Sequence, residues 1–256
     1  SPLIFEDLKK ALSCAEETKY YFHPGLALLV HAWKLRSGIS KPSEKELAEI
    51  MLKVKKAKVI SEDHSNILRK TQSDYSFEEG GFAKGAVLDH LQKLASDLKI
   101  EKLFMNFSGQ VYSNTEKDIL LSDPLNRNKF LLKLKNFKGA MSTSSTGTNY
   151  KIIDGKSYSH ILNPHNGFPL TFKPRSMSII AKDNFLADCY STALLVMYDE
   201  PEIWKKWIQA HSEVGYIILD EISGKKIAKL SCNLKDKVVI LDKNVTKEIN
   251  CLKELR

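Results

Sequence analysis

No run of this 256-residue chain approaches the roughly 18 apolar residues of a membrane-spanning helix. The best candidate, Leu26 to Trp33, is short and interrupted by His31, so no transmembrane segment is expected in this chain. Cysteine is scarce. Cys14, Cys189, Cys232 and Cys251 show no C-x-x-C spacing and no histidine at metal-ligand distance, which argues against zinc and against a disulfide scaffold and leaves them mostly as core thiols. The chain has neither an internal repeat nor a low-complexity linker, and neither a Gly-x-Gly-x-x-Gly nor a Walker loop. It also starts at Ser1-Pro2 without Met and without a basic-then-apolar leader, so an amino-terminal piece is expected to have been removed.

What is present is the material of a globular chain with a substantial core: 43% hydrophobic and 27% charged residues. The formal net charge of +8 suits an anionic partner in principle. The lysines, however, are spread as Lys53-Val-Lys-Lys56, Lys133-Leu-Lys135 and Lys225-Lys226 rather than interleaved with aromatics in one recognition element. A solvated basic surface with no nucleic-acid partner is the expectation.

Apolar spacing predicts a helix from Leu3 to Thr18 with Leu8, Leu12 and Ala15 inward, broken at Phe22-His-Pro-Gly25. Ser43-Glu-Lys-Glu46 is a capping box opening a helix over Leu47 to Val54. Ile67 to Thr71 reads as a strand. After it, Phe77-Glu-Glu-Gly-Gly-Phe-Ala-Lys-Gly85 leads into a helix whose apolar face is Val87, Leu91, Leu94 and Leu98. Leu103 to Phe107 is a predicted strand, followed by a turn at Ser108-Gly109 and short β-like runs through Met141. Arg175 to Ala181 alternates as a strand. A helix carrying Asp188 and Thr192 follows, then another over Glu202 to Gln209 with Trp204 and Trp207 partly buried. Strands at Val214 to Leu219 and Lys237 to Leu241 complete an α+β pattern.

Four segments bear on chemistry. Asp188 and Thr192, four apart in an apolar helix, place a carboxylate and a hydroxyl on one face, where a hard cation such as Mg²⁺ could join them; a helix cap or a buried hydrogen bond would use the same pair. Gly80-Gly81 before a helix, with Lys84 one turn on, permits close approach of a phosphate, and a tight turn alone would also want those glycines. The hydroxyl-rich run Met141-Ser-Thr-Ser-Ser-Thr-Gly-Thr148 can bind a ligand's polar edge or form a solvated loop. His160, in Tyr158-Ser-His-Ile-Leu-Asn-Pro-His-Asn-Gly-Phe-Pro169, can serve as a base, a ligand contact or a turn histidine.

In order and wording these segments resemble the ApbE family, the FAD:protein FMN transferases. That family shows Asp-Leu-Gly-Gly-Ile-Ala-Lys-Gly, Asn-x-Gly-Gly, Ala-Thr-Ser-Gly-Asp-Tyr, His-Ile-x-Asp-Pro-x-Thr-Gly-x-Pro and Ala-Asp-x-x-x-Thr-Ala stretches. They stand here as Glu78-Glu-Gly-Gly-Phe-Ala-Lys-Gly85, Asn106-Phe-Ser-Gly109, Ser142-Thr-Ser-Ser145, His160-Ile-Leu-Asn-Pro-His-Asn-Gly-Phe-Pro169 and Ala187-Asp-Cys-Tyr-Ser-Thr-Ala193. Tyr21-Phe-His-Pro24 followed by Leu28-Leu-Val-His-Ala-Trp33 is similar to the family's Ala-Phe-Asp-Pro and Leu-x-x-x-Trp pair. The resemblance covers about Ser1 to Met197.

The resemblance implies an ApbE-like, T-fold-related α+β domain of mixed sheets with packed helices over residues 1–256, its amino-terminal strands missing. It implies Mg²⁺-dependent transfer of the FMN half of FAD to a Thr or Ser hydroxyl of a target flavoprotein, with release of AMP. By position, Asp188, Thr192 and the Gly81 carbonyl would hold the metal, and Tyr21, Phe22, His23, Glu78 and Lys84 would line the FAD site. His160 and Ile161 would lie beside the flavin and pyrophosphate, and His160 or Asp188 would take the acceptor's proton. A bacterial cell envelope is the implied location, facing the periplasm or exterior, with a lipid anchor on a preceding segment.

The chain departs from the family pattern at His23, where Asp is usual, at Ser108 and Gln110 in the asparagine turn, at Ser145-Thr146, and at Asn163 and Asn166. These changes fall on the flavin side and leave the metal pair intact. The alternative they keep open is a degenerate relative that binds FAD, or cleaves it as a pyrophosphatase, without transferring FMN to protein.

Overall fold

In the computed structural model, which describes residues 1–38, 40–147 and 150–251, the site is organised by one almost wholly buried helix. The first helix, α1 (Pro2–Glu17), has proline in its first turn and ends where Lys19 and Tyr20 take positive φ. A short helix, α2 (Ala27–Ala32), follows the Phe22-His-Pro-Gly25 break. Helix α3 (Glu44–Lys56) is capped as its sequence predicts, with the Glu46 N–H donating to Ser43 Oγ at 3.2 Å. Strands β1 (Val59–Glu62) and β2 (Ile67–Lys70) form a separate hairpin before α4 (Ala83–Asp97).

The main sheet follows. Strands β3 (Phe104–Phe107) and β4 (Gln110–Asp123) turn at Ser108 and Gly109, whose φ values of +50° and +92° suit a two-residue hairpin loop. The short runs expected up to Met141 are instead two long strands, β4 and β5 (Asn126–Ser145), paired antiparallel through register shifts. Those bulges, and the positive φ of Asn136, break the alternation that a sequence reading relies on while the ladder continues past them.

Strands β6 (Tyr150–Ile153), β7 (Lys156–Leu162) and β8 (Pro169–Thr171) make a small antiparallel sheet. The chain then returns to the main sheet with β9 (Ser176–Ala181), crosses one face as α5 (Asn184–Met197) and α6 (Pro201–Ala210), and completes it with β10 (Gly215–Ile222), β11 (Lys225–Ser231), β12 (Val238–Ile240) and β13 (Val245–Asn250). The strand order is β13-β11-β10-β9-β5-β4-β3, with β12 pairing β5 off that path. The α+β architecture matches the expectation.

Helix α5 is apolar nearly all round because its neighbours enclose it: β5 and β9 beneath, α1, α4 and α6 around. A second core fills the opposite side of the sheet, built from residues such as Leu132, Met141 and Leu230. Asp183 caps α5, its carboxylate accepting from Leu186 N at 2.8 Å.

Two expectations are corrected. The apolar stripe of α4 does not face inward: Val87, Leu91, Leu94 and Leu98 are 44–65% exposed, and the buried residues are Gly85, Ala86, Leu88 and Ala95. Close approach to α5 is the reason. A Cβ on Gly85 would stand 2.3 Å from the Asn184 carbonyl, so the small-residue face is the one that fits. The cysteines, expected to be mostly core thiols, divide evenly. Cys14 and Cys189 are free and buried, but Cys232 and Cys251 form a disulfide. The parallel β11–β13 register pairs Ser231 with Asn250, which brings the next residue of each strand to a Cα separation of 4.7 Å.

Candidate functional site

The Phe77–Gly85 segment and α5 meet at Asp188. Its side chain is 2% exposed and its oxygens accept from Lys84 Nζ at 3.1 and 3.3 Å, from the Gly85 N–H at 3.0 Å and from Ser142 Oγ at 3.2 Å. A buried carboxylate is tolerated when it is so satisfied. The glycine in position 85 therefore has two tasks: it lets α4 reach α5, and its amide meets the carboxylate.

A hydroxyl layer adjoins the carboxylate because β5 alternates. Ser142 and Ser144 face α5, where Ser144 Oγ lies 2.8 Å from Ser191 Oγ and 3.3 Å from Thr192 Oγ1. Thr192 Oγ1 in turn donates to the Asp188 carbonyl at 3.4 Å. Lys84 Nζ also lies 3.4 Å from the Gly80 carbonyl. Gly81 packs between Phe22 and Thr192, and a Cβ there would stand 2.9 Å from the Phe22 ring.

Above this floor is a cavity of about 310 Å³. It gathers Tyr21, Phe22, His23, Glu78, Gly81, Lys84, His160, Ile161 and Thr192, residues singled out from four separate stretches of sequence. Asp188 is the exception: it lies behind the wall, reached through Lys84 and Ser142. Of the hydroxyl-rich run, Thr143, Ser144 and Ser145 line the cavity, while Thr148 lies outside the described residues. A second cavity of about 500 Å³ shares Val30, Glu78, Gly80 and His160 with the first. Its Arg36 guanidinium donates to Glu78 at 2.5 Å and Glu79 at 2.6 Å.

The donor set fits a hard cation. Among the described residues no three His, Cys, Asp or Glu side chains converge. The ligands on offer are one carboxylate, several hydroxyls and backbone carbonyls, all oxygen donors, which suit a hard cation better than a soft transition metal. The Lys84 ammonium already holds a positive charge against Asp188 and Gly80. A divalent ion would require it to move aside toward the cavity, which its one-third exposure allows.

Burial pushes the Tyr21 hydroxyl up, with Glu200 adding to the shift. Burial, then repulsion from His165, pushes His23 down to about 4. Sequence reasoning missed Gly85 as a donor and Ser191 as part of the hydroxyl layer. Gly85 closes the Gly-Gly-Phe-Ala-Lys-Gly stretch and Ser191 precedes Thr192, so position within a motif was the only signal.

A family model described as "ApbE family" matches residues 1–218. Similar curated proteins include the FAD:protein FMN transferases of Klebsiella pneumoniae (strain 342), 25% identical over 75% of this chain and 61% of the relative, and of Escherichia coli (strain K12), 24% identical over 75% and 58%. The chain thus spans about 61% of the length of the first of these relatives. Among solved structures, the ApbE protein of Thermotoga maritima superimposes with a TM-score of 0.77 at 26% identity, covering 91% of this chain and 77% of the other. The flavin transferase ApbE of Vibrio cholerae gives 0.76 at 18% identity, over 93% and 77%, and speaks to the fold alone.

Proposed function

Because the chain belongs to the ApbE family, we propose that it is a FAD:protein FMN transferase, which moves the FMN half of FAD to a Thr or Ser hydroxyl of a target flavoprotein and releases AMP. The observation that carries this is a cavity lined by Lys84, Ser144, Thr192 and His160, with Asp188 directly behind its wall accepting from Lys84 and Ser142. Asp188, Thr192 and the backbone at Gly80-Gly81 would hold Mg²⁺, which when bound supplies neutralising charge to the phosphates.

The chain's own residues account for the rest. Lys84, released from Asp188, reaches the cavity and pairs with a pyrophosphate oxygen, stabilising charge that builds as the anhydride opens. The glycine turn allows the phosphates close to the backbone. The acceptor oxygen forms a bond to the flavin-side phosphorus, the bridging P–O bond breaks, and its electron pair leaves with AMP. The acceptor's proton passes to His160, which stands on the cavity wall, whereas Asp188 is turned inward to its donors. Tyr21, Phe22 and Ile161 supply apolar surface for a ring.

We propose a bacterial cell envelope location facing the periplasm or exterior, and the Cys232–Cys251 bond, which suits a compartment outside the reducing cytoplasm, supports that reading. Incubation with FAD, Mg²⁺ and a flavoprotein bearing an acceptor Thr tests the reading. Covalently fluorescent target with one AMP per label is expected. AMP and FMN released without labelled target would instead identify a pyrophosphatase, and FAD retained uncleaved would identify a binding protein.

A further inference from the structure

His23 stands where the family pattern has aspartate, and its surroundings show what the exchange does. The Gly25 N–H donates to His23 Nδ1 at 2.9 Å, closing a turn between residues two apart. This is the bond an Asp or Asn oxygen makes in an Asx turn. Histidine reproduces it with a ring nitrogen, and because that nitrogen accepts, the ring proton belongs on Nε2. The turn is held from both sides. A Cβ on Gly25 would stand 2.0 Å from the Tyr75 hydroxyl, and the Pro24 carbonyl accepts from Glu78 N at 2.6 Å.

The ring is half-buried and lines the first cavity together with Tyr21, Phe22 and Glu78. Among the described residues no hydrogen bond to Nε2 is made, and since the ring lines the cavity its N–H is available to a ligand there. Burial and the neighbouring His165 keep the ring neutral near pH 7. An aspartate in this turn would close it with one oxygen and present the other as a charged acceptor, with no donor to offer. Histidine closes the same turn, removes that charge and extends a donor beyond the turn.

Resting on the transferase reading, we propose that His23 is a specificity-determining residue whose Nε2–H donates to an acceptor atom, a ring carbonyl or ring nitrogen, of the dinucleotide held in the cavity. The first cavity then recognises an acceptor edge of its ligand at the point where the family pattern places a carboxylate.

His23→Asn and His23→Asp test this, because both keep an oxygen to close the Gly25 turn and so preserve whatever structural role the residue has. FAD affinity, read by flavin fluorescence with Mg²⁺ present, is expected to fall about tenfold in His23→Asn, the worth of one hydrogen bond. It should fall at least as far in His23→Asp even though that variant carries the family's residue. Nitrogen NMR of the unaltered protein at pH 7 should show Nε2 protonated and Nδ1 bare, with the Nε2–H resonance moving on addition of FAD. Affinities within twofold of the unaltered protein in both variants, or a ring protonated on Nδ1, would overturn the assignment. Absence of FAD affinity in the unaltered protein would overturn the transferase reading beneath it, a result distinguishable from the variant comparison.

Discussion

Asp188 owes its place to three donors contributed by α4 and β5, and each is expendable only at a cost. Asp188→Asn should lower FMN transfer by about 100-fold at limiting Mg²⁺, since a neutral amide holds a hard cation less tightly than a carboxylate and brings no charge to pair with Lys84. Measuring transfer across a Mg²⁺ titration checks this, and unchanged turnover at the low end would show that Asp188 holds no metal. His160→Ala should lower kcat by roughly 10²–10³ with little change in KM for FAD, the mark of lost proton transfer. Recovery at saturating FAD would show that the residue only binds.

His23 also makes stability depend on pH. Its folded pKa of about 4 lies below the ordinary value of 6.5, so between those limits the unfolded chain binds the extra proton. Stability is therefore fully present above about pH 6.5 and declines as the pH falls toward 4, by roughly 2 kcal/mol between pH 7.5 and pH 5. Urea unfolding at the two pH values should show that loss in the unaltered protein and less of it in His23→Asn. Single residues of this kind were legible where chemistry and spacing coincide: Asp188 and Thr192 one helical turn apart, Lys84 after a glycine pair. Gly85 was not, because a backbone amide carries no side-chain signature.

At the scale of elements, α5 could be read from its apolar run and α3 from its capping box, both local signals. Helix α4 could not be oriented correctly. Its periodicity marked Val87, Leu91, Leu94 and Leu98, yet helix packing is decided by how closely two backbones can approach, and that depends on Gly85 meeting Asn184 across the fold. Gly85→Ala should force α4 away from α5 and cost about 1–3 kcal/mol. Because Lys84 and the Gly85 amide move with the helix, transfer should fall out of proportion to the lost stability; thermal unfolding and turnover measured together would show it. Strands β4 and β5 were underestimated for a related reason, their ladder being continuous across bulges that interrupt the sequence pattern.

For the whole molecule, the Cys232–Cys251 bond ties the end of β13 to the turn after β11. It escaped a sequence reading because parallel register, not spacing, brings the two residues together. Closing a loop of 19 residues' separation is worth about 3 kcal/mol in the chain-entropy account. Dithiothreitol should lower the thermal midpoint by about 6–10 °C while buried Cys14 and Cys189 stay unreactive to thiol reagents until unfolding. An unchanged midpoint would mean that β13 is held by its ladder alone.

The bonds to Asp188 span 46, 103 and 104 residues of chain. Contacts so distant in sequence incur their loop-closure entropy before any of them is rewarded, so they are expected to form after local pairings such as the β3–β4 and β10–β11 hairpins. During refolding, sheet signals should therefore recover before FAD affinity does. The chain would pass through a stage in which its strands are paired and its carboxylate still waits for α4.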